Sequence, residues 1–113
     1  MEIGFKNKKL KAICEQSGLA QKELGLKMAK KLRSRLADLN AALVVTDLCA
    51  GRPHPLEGSQ GGEFALDLVH PQRLVFVADN DPIPEREDGS IDWSQVSKVC
   101  IMAIEDYHKK GQS

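Results

Sequence analysis

Arg52 and His54 precede a glycine-rich stretch, Arg73 opens a run of β-formers, and Asp106, Tyr107 and His108 close the last such run. Imidazole titrates near neutrality, a phenol can donate or orient a proton, and a guanidinium presents a planar fork of donors matched to phosphate oxygens. These residue types together suit metal-free cleavage of RNA. In that reaction the 2′-hydroxyl attacks the neighbouring phosphorus, which calls for a base at the hydroxyl, an acid at the leaving oxygen and fixed positive charge at the crowded phosphate.

Each residue also has a plainer role open to it. Arg73 could pair with Asp67 or Glu63, His54 could be a loop residue between Pro53 and Pro55, and His108 could be a solvated residue near a chain end. His70, before Pro71, reads as stabilising a turn rather than reacting. Asp106, His108, His54 and His70 lack a compact ligand spacing such as HExxH, so no metal site is expected. Glu57 and Glu63 would form a carboxylate pair that repels an RNA phosphate.

The elements that must hold these residues follow from periodicity. Ile3 and Phe5 alternate with Glu2 and Gly4, as in a short strand over Glu2 to Phe5. Asn7 is an N-cap type, Leu10, Ile13 and Cys14 follow at helical spacing, and Gly18 is a natural stop, so a helix is predicted from Asn7 to Ser17. A longer helix, about Gln21 to Leu43, carries Leu24, Met28, Leu32, Leu36, Leu39 and Leu43 on one stripe, a core-packing face with most Lys and Arg elsewhere. These two helices are expected to form a hairpin. Gly51, Pro53, Pro55 and the segment EGSQGG break the pattern before two antiparallel strands, Phe64 to Leu68 and Arg73 to Ala78. Asp79 to Trp93 is acidic and reads as a loop too polar to pack, and Val96 to Glu105, apolar on both faces, reads as an inner strand.

At 113 residues the chain fits one domain, 1–113, and its 42% hydrophobic and 28% charged residues are ordinary for a globular protein. No apolar run approaches the ~20 residues of a membrane span. The N-terminal segment lacks the roughly 7–15-residue apolar stretch of a secretory signal, so a cytoplasmic location is expected. Cys14, Cys49 and Cys100 are odd in number and without CxxC spacing, and are expected as buried thiols rather than a disulfide or zinc framework. The net charge of zero hides a division: residues 1–40 hold ten Lys and Arg against four acids, a net of +6, balanced by −6 in the remainder. A basic first part could bind a polyanion, although a charged helix face is more often merely solvated.

Over nearly its whole length the chain resembles the HigB-like plasmid-maintenance killer proteins of the RelE and ParE toxin superfamily. The resemblance rests on FKNKKLKAIC, AKKLRSRLADL, RPHPLEGSQGGEFALDLVHPQRLVF and IEDYH, in the family's order. It implies an α+β fold in which an N-terminal strand and helical hairpin pack on a twisted, mostly antiparallel sheet of about four strands. It also implies the toxin of a type II toxin–antitoxin system, a metal-independent and cofactor-free mRNA endonuclease that acts on the ribosome. The implied partners are the ribosome, mRNA and a HigA-like antitoxin with a helix-turn-helix domain. The match carries catalytic roles onto His54, Arg73, Asp106, Tyr107 and His108, with Arg52, Lys30 and Arg33 as RNA or ribosome contacts. One departure stands out: similar toxins usually carry a lysine in the segment after the histidine, where this chain has Glu57. That change weakens attraction for phosphate and keeps a second reading open. In it, the chain is a non-cleaving partner of an antitoxin and a co-repressor, or a ParE-like toxin with another target.

Overall fold

A computed structural model describes residues 1–56 and 62–106, the last of these by its backbone alone. The first helix, α1 (Lys8–Glu15), begins where Asn7 Oδ1 accepts the Leu10 N–H at 2.8 Å, and it buries Leu10 and Ile13. It stops at Gln16, whose backbone is extended, and Gly18 lies inside the next helix, α2 (Ser17–Leu24). The expected long helix is therefore two, because Gly25 takes a φ of +85° that an α-helix cannot contain. The second part, α3 (Leu26–Ala41), turns Met28, Leu32 and Leu39 inward. Leu24 and Leu36 pack against the same core, but Leu43, beyond the helix end, is 79% exposed. The helical hairpin expected from the sequence is thus a three-helix layer.

Among the described residues five strands form one sheet: β1 (Glu2–Phe5), β2 (His54–Pro55), β3 (Glu63–Asp67), β4 (Gln72–Ala78) and β5 (Lys98–Asp106), in the order β1-β5-β4-β3-β2. Only β1 and β5 run parallel; the other pairs are antiparallel. The fifth strand beyond the expected four is the short β2, where the two prolines flanking His54 suggest a loop from the sequence. The Met1 amine donates to the carbonyls of Leu39, Asn40 and Ala42 at the end of α3, the last at 2.6 Å, which fixes β1 against that helix.

Strand alternation divides the sheet into two faces. Phe64 and Leu66 of β3, Leu74 and Phe76 of β4, and Val99 and Ile101 of β5 join Leu10, Ile13, Met28, Leu32 and Leu39 in one core. Leu32 is 1% exposed, so its truncation to alanine should cost roughly 2–5 kcal/mol. A register shift between Val75 and Phe76 puts Val75 opposite Ala103 but Phe76 opposite Ile101, leaving Met102 as the extra residue of a bulge.

The acidic segment between β4 and β5 does pack, contrary to its polar composition. Asn80 Oδ1 accepts the N–H groups of Ser97 and Lys98 at 3.1 and 3.0 Å, and Ile91 and Trp93 lie against the core. The Trp93 ring centroid is 4.8 Å from that of Phe64. The expectation of three buried thiols fails at Cys49, which is exposed in the stretch after α3, while Cys14 and Cys100 are half-buried. Burial, with Glu15 beside it, pushes the Cys14 thiol up to about 11. Among the described residues no helix is long and apolar enough to cross a membrane.

Candidate functional site

The face of the sheet turned away from the helices carries the polar residues singled out in the sequence. Asp67 of β3 stands opposite Arg73 of β4, and Arg73 stands opposite Glu105 of β5. One row along, His54 of β2 stands opposite Ala65, which faces Val75, which faces Ala103. Partners in a ladder share a face, so His54 and Arg73 both lie on this side, away from the helices. Two strand spacings and a two-residue offset place their Cα atoms about 12 Å apart. Ala65 and Val75, both fully buried, form a floor of small side chains between them.

Arg73 is 6% exposed, and its Nη2 lies 3.7 Å from Glu105 Oε2. The sequence offers Asp67 or Glu63 as its ion-pair partner. Instead Asp67 receives Arg52, whose Nε donates to Oδ2 at 2.9 Å and whose Nη2 reaches Oδ1 at 3.5 Å. The carbonyl of Arg52 then lies 2.7 Å from His54 Nδ1. A carbonyl only accepts, so the ring carries a proton on Nδ1 and, when neutral, its basic lone pair sits on Nε2. The arrangement therefore sets an imidazole base and a buried guanidinium on one face of the sheet. It also sets Glu63, Asp67 and Glu105 against two arginines, so the face is not strongly positive.

Not all the expected residues meet there. Asp106 ends β5 opposite Gln72, but its side chain lies outside the described residues, as do Tyr107, His108 and Glu57. Lys30 and Arg33 are exposed on α3, across the sheet from His54 and Arg73. Arg33 borders a separate groove of about 710 Å³ between α1, α3 and β1, with Ile3, Phe5, Cys14 and Leu36 in its wall. His70 is exposed in the turn between β3 and β4, where the Gln72 N–H donates to Val69 O at 2.8 Å. Among the described residues no three His, Cys, Asp or Glu side chains converge as metal ligands would. Sequence reasoning missed Asp67 and Glu105 as the partners of Arg52 and Arg73. Their position on the same alternating face was the available signal, but it means little until the register is known.

This layout, a helical layer on one side of a mostly antiparallel sheet with its N-terminal strand parallel to the last, is the α+β fold of RelE-like proteins. No protein-family model and no curated protein matches the sequence. Among solved structures, the chain is similar to that of the YoeB dimer from Staphylococcus aureus, with 18% identity, 96% of this chain and 97% of that chain covered, and a TM-score of 0.57. At that identity the likeness is one of fold.

Proposed function

We propose that this chain is the toxin of a type II toxin–antitoxin pair and a metal-independent endoribonuclease that cuts mRNA on the ribosome. The observation that carries the reading is the placement of His54 and Arg73 on one face of the sheet, away from the helices, with the His54 proton directed to Nδ1 by the Arg52 carbonyl. Likeness in fold to YoeB, a toxin of toxin–antitoxin systems, supports the toxin role. In the proposed reaction His54 Nε2 takes the proton of the 2′-hydroxyl, whose oxygen bonds to phosphorus as the bond to the 5′-oxygen breaks. Arg73 stabilises charge on the pentavalent phosphate, at the expense of its ion pair with Glu105. The departing 5′-oxygen takes a proton from the terminal group Asp106, Tyr107 and His108, a role that rests on the family resemblance alone. Lys30, Arg33 and Arg52 would hold ribosomal or messenger RNA through phosphate contacts. A HigA-like helix-turn-helix antitoxin, cytoplasmic like the ribosome, completes the proposal.

The test is induction of the chain alone, with mRNA ends mapped on programmed ribosomes. Growth arrest with new 5′ ends is expected, and both should vanish in His54→Ala; normal growth at confirmed expression refutes the reading. A second reading, a non-cleaving binding module or a toxin with another target, draws on the carboxylates of this face and on Glu57, which oppose a phosphate. Arrest without new mRNA ends would favour it.

A further inference from the structure

Among the described residues Arg52 is the one non-glycine residue with a left-handed backbone, at a φ of +47°, and it follows Gly51 at +81°. Glycine takes that conformation freely, but a residue such as Arg52 persists there only where its surroundings hold it. Here Asp67 holds the pair twice. Its N–H donates to the Gly51 carbonyl at 2.6 Å, and its carboxylate takes the Arg52 guanidinium at 2.9 Å. The backbone grip fixes the residue before Arg52, and the side-chain grip fixes Arg52 itself. Between the two grips the Arg52 carbonyl is aimed at His54 Nδ1, 2.7 Å away. Asp67 is itself anchored at the end of β3 by its ladder position opposite Arg73.

We propose that Asp67 is a positioning residue for His54: through Arg52 it holds the carbonyl that keeps the imidazole proton on Nδ1 and so leaves Nε2 as the base. The chain of contacts is carboxylate, guanidinium, backbone carbonyl, imidazole, with a carbonyl where a carboxylate often orients a histidine. The Arg52 side chain is 66% exposed, and an ion pair so open adds little to stability. Its role lies in geometry. The catalytic meaning of this arrangement rests on the endonuclease reading; the proton position does not.

The experiment therefore reads the proton first. Long-range proton–nitrogen NMR correlations of ¹⁵N-histidine-labelled full chain distinguish the two neutral tautomers without any RNA present. The parental protein should show His54 protonated on Nδ1. Asp67→Ala should lose that preference, and so should Arg52→Ala, which removes the same ion pair from its exposed end and spares the β3 backbone. Asp67→Asn retains an oxygen that accepts from the Arg52 Nε and should restore the Nδ1 proton. On ribosomes Asp67→Ala should cleave roughly 10–100-fold more slowly with unchanged affinity, whereas Arg52→Ala should show the same slowing at saturation and also bind less tightly, because it removes a phosphate contact as well. A His54 tautomer unaltered in both alanine variants overturns the proposal, as does a parental ring protonated on Nε2. A parental protein that cleaves nothing refutes the endonuclease reading instead, and the NMR result still decides the role of Asp67.

Discussion

Replacing Gly51 by alanine should cost about 2–4 kcal/mol of stability, from two sources that the geometry separates. At a φ of +81° any L-residue meets its own carbonyl, which costs roughly 1–2 kcal/mol. A Cβ there would also lie 2.9 Å from Arg35 Cδ and 3.2 Å from the Asp67 carbonyl oxygen. Arg35 has little freedom to yield, because its side chain is 13% exposed and its Nε lies 3.2 Å from Asp38 Oδ2. Forcing a methyl group into such a contact costs roughly 1–3 kcal/mol, against which the stiffer unfolded chain returns about 0.4–1 kcal/mol. Gly89 supplies the control, for its φ is +87° and nothing lies within 4 Å of where a Cβ would stand. Gly89→Ala should then cost no more than about 1.5 kcal/mol. Urea unfolding of both variants measures the difference, and the melting temperature of Gly51→Ala should fall by roughly 8–16 °C. If the two variants agree within about 0.5 kcal/mol, the close packing of Arg35 against Gly51 is refuted.

On ribosomes, Arg73→Ala should lower single-turnover cleavage by ~10²–10⁴ while leaving affinity nearly intact; a parental cleavage rate would end its catalytic assignment. Lys30→Ala with Arg33→Ala should do the reverse, weakening affinity and flattening its salt dependence at an unchanged saturated rate, and an unchanged salt slope would remove α3 from the ribosome contact. Because Cys14 is raised to about 11, roughly one part in a thousand is thiolate at pH 8. Iodoacetamide should therefore modify exposed Cys49 first, and Cys14 about tenfold faster per pH unit up to pH 11; peptide mapping that finds Cys14 modified early at pH 8 contradicts its burial. Stability moves the same way: the unfolded chain releases this proton first, so the contribution present below pH 9 is lost as pH rises through about 11.

How much of this was legible in the sequence depended on the range of the forces involved. Leu10 and Ile13, or Leu66 and Leu74, announce their elements through local spacing, and the resulting helices and strands lie within a few residues of where that spacing puts them. Gly25 was invisible because a glycine within an apolar stripe is tolerated in many helices, and only the packing of α2 beside α3 selects the break. Trp93 looked like loop because its neighbours are acidic, yet the rings of Phe64 and Phe76 arrive from strands far away in the chain. The site divides in the same way. His54 and Arg73 stood out by residue type, but the exchange of partners that gives Arg52 to Asp67 and Arg73 to Glu105 follows from register, a property of strand pairs that no single segment carries.

β1 meets β5 across almost the whole chain, Glu2 beside Lys98, and among the described residues it is hydrogen-bonded to the sheet along one side only. Closing a loop of that length costs roughly 4 kcal/mol of chain entropy before a four-residue ladder returns anything. This strand should dock late and lift away early. When it lifts, β5 becomes a bare rim whose Val99–Cys100–Ile101–Met102–Ala103–Ile104 stretch is uncharged, free of proline and apolar on both sides. Such a rim is a template for other copies to stack on, with Lys98 at its head and Glu105 and Asp106 at its end as the flanking charges that keep the gate. Resistance to aggregation on storage is therefore governed less by the strength of the core than by how seldom four residues at the margin come loose.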